Sequence, residues 1–254
     1  MAKAIMFGNH WEFFPCQINN QSFSIRFDTA AINLDEESKA RYPHTIVLQL
    51  HANEVDERGF PTPAERERIN KVEDNLTSDG CDMRLIGVIT GGSCVRFVFC
   101  YNGCLEAEAK NIIQTLLGEN RHIYKHEYQV LQNDNFSYFF NACAPDLYER
   151  NWIMNRNVCA NLEKDGESFK TLREIDFFCN FSSENHIQSV AKKLEEQGFR
   201  IRSQDKRDND YSLHFVIEGI PTFTWINDIV ANILDLMEDT DGYFDGWGSP
   251  IHRS

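Results

Sequence analysis

The stretch Phe223-Thr-Trp-Ile-Asn-Asp-Ile-Val-Ala-Asn-Ile-Leu-Asp-Leu-Met237, followed by Glu238-Asp-Thr-Asp-Gly-Tyr-Phe-Asp-Gly-Trp-Gly248, decides how the chain is read. Ile226, Val230, Ile233 and Met237 recur at helical spacing, so residues 223–237 are expected to lie as a helix with one apolar stripe on a sheet. An acidic helix end then runs through Gly242 into Tyr243 and Phe244. Residues 243–247 read as the strand that finishes a domain. Gly246 and Gly248 on either side of Trp247 suggest a backbone held tightly around one large side chain.

Upstream, residues 171–181 read as an apolar strand through Ile175, Phe177, Phe178 and Cys179. Ser182-Ser183-Glu184 opens a helix with capping chemistry. Ile187, Val190, Ala191 and Leu194 form its stripe, and Gly198 ends it. Residues 199–203 make a short strand and residues 205–210 a charged turn. In residues 211–217, Leu213, Phe215 and Ile217 alternate with Ser212, His214 and Val216, the period of a half-buried strand. The order is β-α-β-β-α-β.

The first half repeats that order behind an extra hairpin. Residues 11–18 and 22–32 read as two strands around an Asn19-Asn20-Gln21 turn, and Thr45-Ile-Val-Leu-Gln-Leu50 has the β-branched density of a central strand. Thr62-Pro63-Ala64-Glu65 starts a helix, with Thr62 as cap and Glu65 placed to reach back to the cap's N–H. Its apolar face is Ile69, Val72 and Leu76, with Gly80 as its stop. Residues 83–90 and 94–101 pair around Gly91-Gly92. A helix over 105–117 with Leu105, Ala109, Ile112 and Leu116 inward, then a strand over 125–131, complete the unit. Residues 136–143 are expected to extend the sheet, and residues 145–162, with Trp152, read as a helical or irregular connector. Lys164-Asp-Gly-Glu-Ser168 lacks periodicity and marks the domain boundary. The fold class expected is therefore α+β, with two ferredoxin-like (β-α-β-β-α-β) domains over residues 1–165 and 166–254 and an added N-terminal β-hairpin on the first. The halves share no residue-level identity, and this architecture carries many functions.

The 254 residues carry 39 acidic and 25 basic side chains, a formal charge of −14. Such a surface argues against direct nucleic-acid binding, which needs positive charge, and favours a partner with a basic segment. Solubility alone is the simpler explanation of the charge. Eight cysteines, mostly inside apolar runs such as Phe97-Val-Phe-Cys-Tyr101, suggest buried thiols in a reducing compartment. The apolar part of the first ten residues is short for a signal peptide, and the cytoplasm is the expected location.

No nucleophile lies in a recognisable catalytic motif, and neither enzyme activity, cofactor nor metal is expected. Cys100 and Cys104 with His122 and His126 make a loose metal pattern, for which a structural role of the thiols is the better reading. Asp239-Thr-Asp-Gly-Tyr-Phe-Asp245 lacks the ligands and glycine of a calcium loop. His186, near a helix start, reads as solvated. Trp247 is either a core aromatic or an interface anchor of the kind enriched at binding hot spots. Asp235, Glu238, Asp239, Asp241 and Asp245 are taken as crowding around it, which makes these six residues the candidate partner-binding site.

From about residue 171 onward, the element order, the Gly198-Phe199 helix exit and the terminal Phe244-Asp-Gly-Trp-Gly248 resemble the regulator of ribonuclease activity B family, inhibitors of ribonuclease E. The first half resembles an uncharacterised bacterial domain family that begins with a Trp-containing hairpin, here Trp11, and closes near a second Trp, here Trp152. The regulator resemblance implies binding to the Arg-rich, non-catalytic scaffold region of ribonuclease E, and so modulation of RNA turnover without cleavage. Residues 171–254 carry 15 acidic and 8 basic side chains, half of the net charge, which suits such a partner. The family's acidic tail after Gly-Trp-Gly is replaced here by Ser249-Pro-Ile-His-Arg-Ser254. The competing expectation is a small-molecule or enzymatic site in a cleft between the two domains, with His122, His126 or the first-domain cysteines supplying the chemistry.

Overall fold

A computed structural model describes residue 8 and residues 10–77, 83–103, 106–207 and 210–253. The chain divides into two compact units, Met1–Pro145 and Asp146–Ser254. Both are mixed α+β, each with one antiparallel sheet.

The first unit contains β1 (Trp11–Ile18), β2 (Gln21–Asp28), α1 (Thr29–Ile32), α2 (Glu36–Arg41), β3 (His44–His51), α3 (Pro63–Leu76), β4 (Met83–Gly91), β5 (Cys94–Tyr101), α4 (Glu106–Leu117), α5 (Asn120–Ile123), β6 (His126–Leu131) and α6 (Ser137–Ala142). Asn19 and Asn20 both take positive φ, the geometry that lets a two-residue turn match the twist of its strands. The sheet order is β1-β2-β4-β5-β3-β6, so the hairpin adds two strands beside β4. Ile69, Val72 and Leu76 of α3 and Ala109, Ile113 and Leu117 of α4 pack on Leu48, Phe97 and Phe99. Ile112 is only partly buried, one position out of phase with the expected stripe.

Thr62 accepts from the Glu65 N–H as expected. Glu65 does not reach back to the cap. Its fully buried carboxylate instead accepts from the Asn53 N–H and Arg68 Nε at 2.7 and 2.8 Å, the first a partner that local spacing does not reveal. Residues 136–143 are not a strand. Phe136 takes φ 66°, which ends the extended path, and Asp134 Oδ2 accepts from the Tyr138 N–H at 3.0 Å. The resulting turn of α6 buries Phe139, and Cys143 beyond it approaches β4 so closely that a Cβ at Gly87 would meet its Sγ at 2.6 Å. Gly80, Cys81, Cys104 and Leu105, and the side chain of Leu116, lie outside the described residues.

The second unit contains α7 (Leu147–Lys164), β7 (Arg173–Phe181), α8 (Glu184–Glu196), β8 (Arg200–Arg207), β9 (Asp210–Gly219), α9 (Phe223–Met237) and β10 (Tyr243–Gly248). Its sheet runs β10-β7-β9-β8. The stripes of α8 and α9 close over Ile175, Phe177, Cys179, Leu213 and Phe215. Residues 205–207, expected in a turn, continue β8 and pair with β9, because the backbone ladder outweighs their charge.

The expected boundary at residues 165 and 166 is displaced to Pro145 and Asp146. Residues 147–164 take the helical one of the two expected forms, but as part of the second unit and not as a connector. Asp146 and Glu149 form a reciprocal capping box, and the helix they start packs on α9. Trp152 meets the Phe223 ring edge-on at 5.2 Å. The supposed linker is equally structural: Glu167, 5% exposed, accepts from Arg173 Nη2 at 2.8 Å and from the N–H groups of Phe169 and His252. Burial raises the pKa of that carboxyl, but the two N–H groups and the guanidinium outweigh it and hold it below the ordinary value. Among the described residues, no helix is long and apolar enough to cross a membrane.

Candidate functional site

The last turn of α9 turns Met237 into the core and leaves Asp235 and Glu238 exposed. Asp235 Oδ1 accepts a 2.6 Å hydrogen bond from the Tyr148 hydroxyl on α7. That bond, reinforced by burial and by the negative charges of Asp235, Glu238 and Asp146, pushes the Tyr148 pKa up to about 12. The phenol therefore stays a neutral donor in a carboxylate cluster. Asp146 and Tyr148 are the residues that the sequence reading missed. The Asp146-x-x-Glu149 capping box marks their helix, but nothing local ties it to α9.

Asp239 is exposed, while Asp241 Oδ1 lies 2.9 Å from His186 Nδ1 at the start of α8. His186, expected as solvated, is thus engaged with one of the candidate carboxylates. Asp245 is exposed on β10, and its charge adds to the burial that raises the Cys179 pKa.

Trp247 stands apart from the end of α9. Its place on β10 faces Phe177, on the helix-covered side of the sheet, and it packs half-buried against the core. Its Nε1 donates to Asn155 Oδ1 at 2.9 Å, and Asn155 Nδ2 donates to Asn227 Oδ1 at 2.9 Å. Asn227 is in the first turns of α9 and Asp235 near its end, about 12 Å along the axis at 1.5 Å per residue. The acidic residues of the helix end therefore do not surround the indole.

The glycines beside Trp247 also differ from expectation. A Cβ at Gly246 or Gly248 would meet nothing within 4 Å, so neither is small for packing reasons. Gly246 takes φ 135° where the β10–β7 register shifts, a conformation that only glycine adopts cheaply. Of the three glycines at 242, 246 and 248, the crowded one is Gly242, whose Cβ would meet the Phe181 ring at 2.3 Å. Gly246→Ala should cost about 1–3 kcal/mol and Gly248→Ala less than about 0.5 kcal/mol, as read by urea denaturation. Equal costs would refute the backbone explanation.

The opposite sheet face carries Phe178, 39% exposed and stacked on His214 at 4.7 Å, with His214 Nε2 2.7 Å from Asp176 Oδ1. In the first unit, Cys100 is buried and its thiol pKa is raised by that burial, while Cys143 is pushed to about 12. His122 contacts Arg121 Nε and His126 the Tyr124 carbonyl. Among the described residues, no group of three or more His, Cys, Asp or Glu could hold a metal ion.

Two family models match the chain. Residues 152–249 match Regulator of ribonuclease activity B, and residues 9–142, more than half of the chain, match a family of unknown function, DUF695. The first match begins at Trp152, inside α7. No curated protein matches. Among solved structures, similar chains include an unknown protein from Galdieria sulphuraria at 10% identity and TM-score 0.23, with 80% of this chain and 96% of that chain covered. Another is a putative glycine cleavage system transcriptional repressor, at 8% identity and TM-score 0.23 with 82% and 98% covered. Scores this low transfer neither fold nor function.

Proposed function

The chain belongs to the family of unknown function DUF695, and on that premise we propose that its second unit makes it a non-enzymatic, protein-binding regulator of ribonuclease activity. The observation that carries this reading is the match of residues 152–249 to the regulator family. The β-α-β-β-α-β order and the sheet order β10-β7-β9-β8 support reading that unit as ferredoxin-like, and the first unit has the same arrangement from β3 to β6.

The partner is a basic protein segment, of the kind found in the Arg-rich scaffold region of ribonuclease E, and not nucleic acid. Support comes from the excess of acidic residues in residues 171–254 and from the carboxylates gathered at the end of α9. Asp235, Glu238 and Asp239 draw such a segment by charge, with Asp241 and Asp245 extending the field and the half-buried Trp247 at most at its margin. The site of action is the cytoplasm.

The full chain should bind an Arg-rich peptide from that scaffold in a calorimetric titration, with affinity falling steeply between about 50 and 500 mM salt as charges are screened. Absence of binding at the lowest salt would remove the ribonuclease reading.

A further inference from the structure

We infer that a cavity of about 420 Å³ in the first unit binds a compact organic anion, a phosphate or carboxylate head on an apolar body. The cavity follows from the added hairpin. Core packing by α3 falls on β3, β4 and β5, whereas β2 extends the same sheet face past the helix. Ser24 and Arg26 of β2 stand opposite Thr90 and Val88 of β4, and all four line the uncovered strip. The size is within the range of small-molecule sites.

Three arginines line it from separate elements. Arg26 comes from the hairpin, Arg66 from α3 and Arg58 from the loop before α3, against two carboxylates, Glu73 in the lining, paired with Arg26, and Asp56 beside it, 3.2 Å from Arg58 Nη2. The lining is therefore positive in a chain whose formal charge is −14. A positive concavity on an acidic protein is what selects a small anion over the bulk surface. Guanidinium forks match the oxygens of phosphate and carboxylate.

The arrangement is held in place before any ligand arrives. Arg26 is 4.9 Å from the Trp11 ring and ion-paired with Glu73. The loop carrying Arg58 closes on itself through the Val55–Pro61 bridge, and Asp56 Oδ1 accepts from the N–H groups of Arg58 and Phe60. Gly59 O accepts from the Ser93 N–H, tying the loop to the β4–β5 turn. Arg58 lies over the Phe60 ring at 5.6 Å, which presents an aromatic wall beside a charge. Ile69, Val88 and Val95 supply the apolar remainder. Held walls are what lower the cost of binding a small ligand.

The inference is independent of the regulatory reading of the second unit. Its test is calorimetric titration of the full chain at low salt with phenyl phosphate, benzoate and inorganic phosphate. Saturable one-site binding of phenyl phosphate or benzoate is expected, tighter than inorganic phosphate, and the stronger of the two identifies the head group. The exposed pair Arg58→Gln and Arg66→Gln together should weaken it about tenfold or more, from loss of charged hydrogen bonds. Arg121→Gln, outside the cavity, should leave it unchanged. No saturable binding of either organic anion, undiminished binding by the double variant, or inorganic phosphate binding as tightly as both would overturn the assignment.

Discussion

Replacing Glu167 by alanine is expected to destabilise the second unit by about 3–5 kcal/mol, the scale for breaking a buried ion pair at one partner. The substitution leaves the Arg173 guanidinium, 6% exposed in its side chain, without its carboxylate, and strands the N–H groups of Phe169 and His252. It also releases residues 249–253, which approach residues 165–173 through Ser249 Oγ, the His252 backbone and Arg253 Nε. Urea denaturation followed by tryptophan fluorescence reads the loss. Replacing both partners, Glu167→Leu with Arg173→Met, should recover the part that comes from the unpaired guanidinium, because no buried charge then remains, and leave the part that comes from the two stranded N–H groups. A loss below about 1 kcal/mol for Glu167→Ala would show the pair to be incidental.

The same carboxylate sets an acid limb. Its folded pKa is depressed, so its contribution is fully present above the unfolded value of 4.5 and is lost as pH falls through the lower folded value. Wild type should lose stability below about pH 4.5 more steeply than Glu167→Gln, which has no proton to take up.

The second large effect concerns binding. Neutralising Glu238, Asp239 and Asp245 together (Glu238→Gln, Asp239→Asn, Asp245→Asn) should weaken association with an Arg-rich segment about tenfold at low salt, and flatten the salt dependence. These three are chosen because they are exposed and not committed to the contacts that occupy the other two. Asp235 holds Tyr148 and Asp241 meets His186, so changing those residues would mix structure with charge. The melting temperature of the triple variant should stay within about 2 °C, as surface charges contribute little to stability. Unchanged affinity would remove this surface from the interface.

Asn155→Leu offers a contrast with that charge effect. It deprives the Trp247 indole N–H and the Asn227 amide of their buried partner, which should cost about 1–3 kcal/mol without altering the charge of the unit. Its measurable consequence is a lowered unfolding midpoint in urea.

Much of the second unit was legible because its signals are local. The stripes Ile187-Val190-Ala191-Leu194 and Ile226-Val230-Ile233-Met237 identify two helices on a sheet, and the alternation around Phe215 identifies a strand. The charged residues 205–207 misled, since composition there resembles a turn while the ladder to β9 decides. Residues 136–143 misled for the opposite reason. An aromatic-rich run suits a strand or a buried helix equally, and the positive φ of Phe136 with the hydrogen bond from the Tyr138 N–H to Asp134 selects the helix.

The sequence by itself determined the α+β class, the β-α-β-β-α-β order at the core of each half, the acidic charge and the family resemblance, since periodicity, composition and motif are properties of neighbouring residues. Only the tertiary structure decided which side of the boundary α7 belongs to, what Trp247 touches and which carboxylates are already engaged. Tyr148 and Asp235 are 87 positions apart, and Trp247 and Asn155 are 92 apart. No local pattern encodes such pairs, because a hydrogen bond between distant residues is fixed by how the helices settle on the sheet, and that is set by the burial of the whole core.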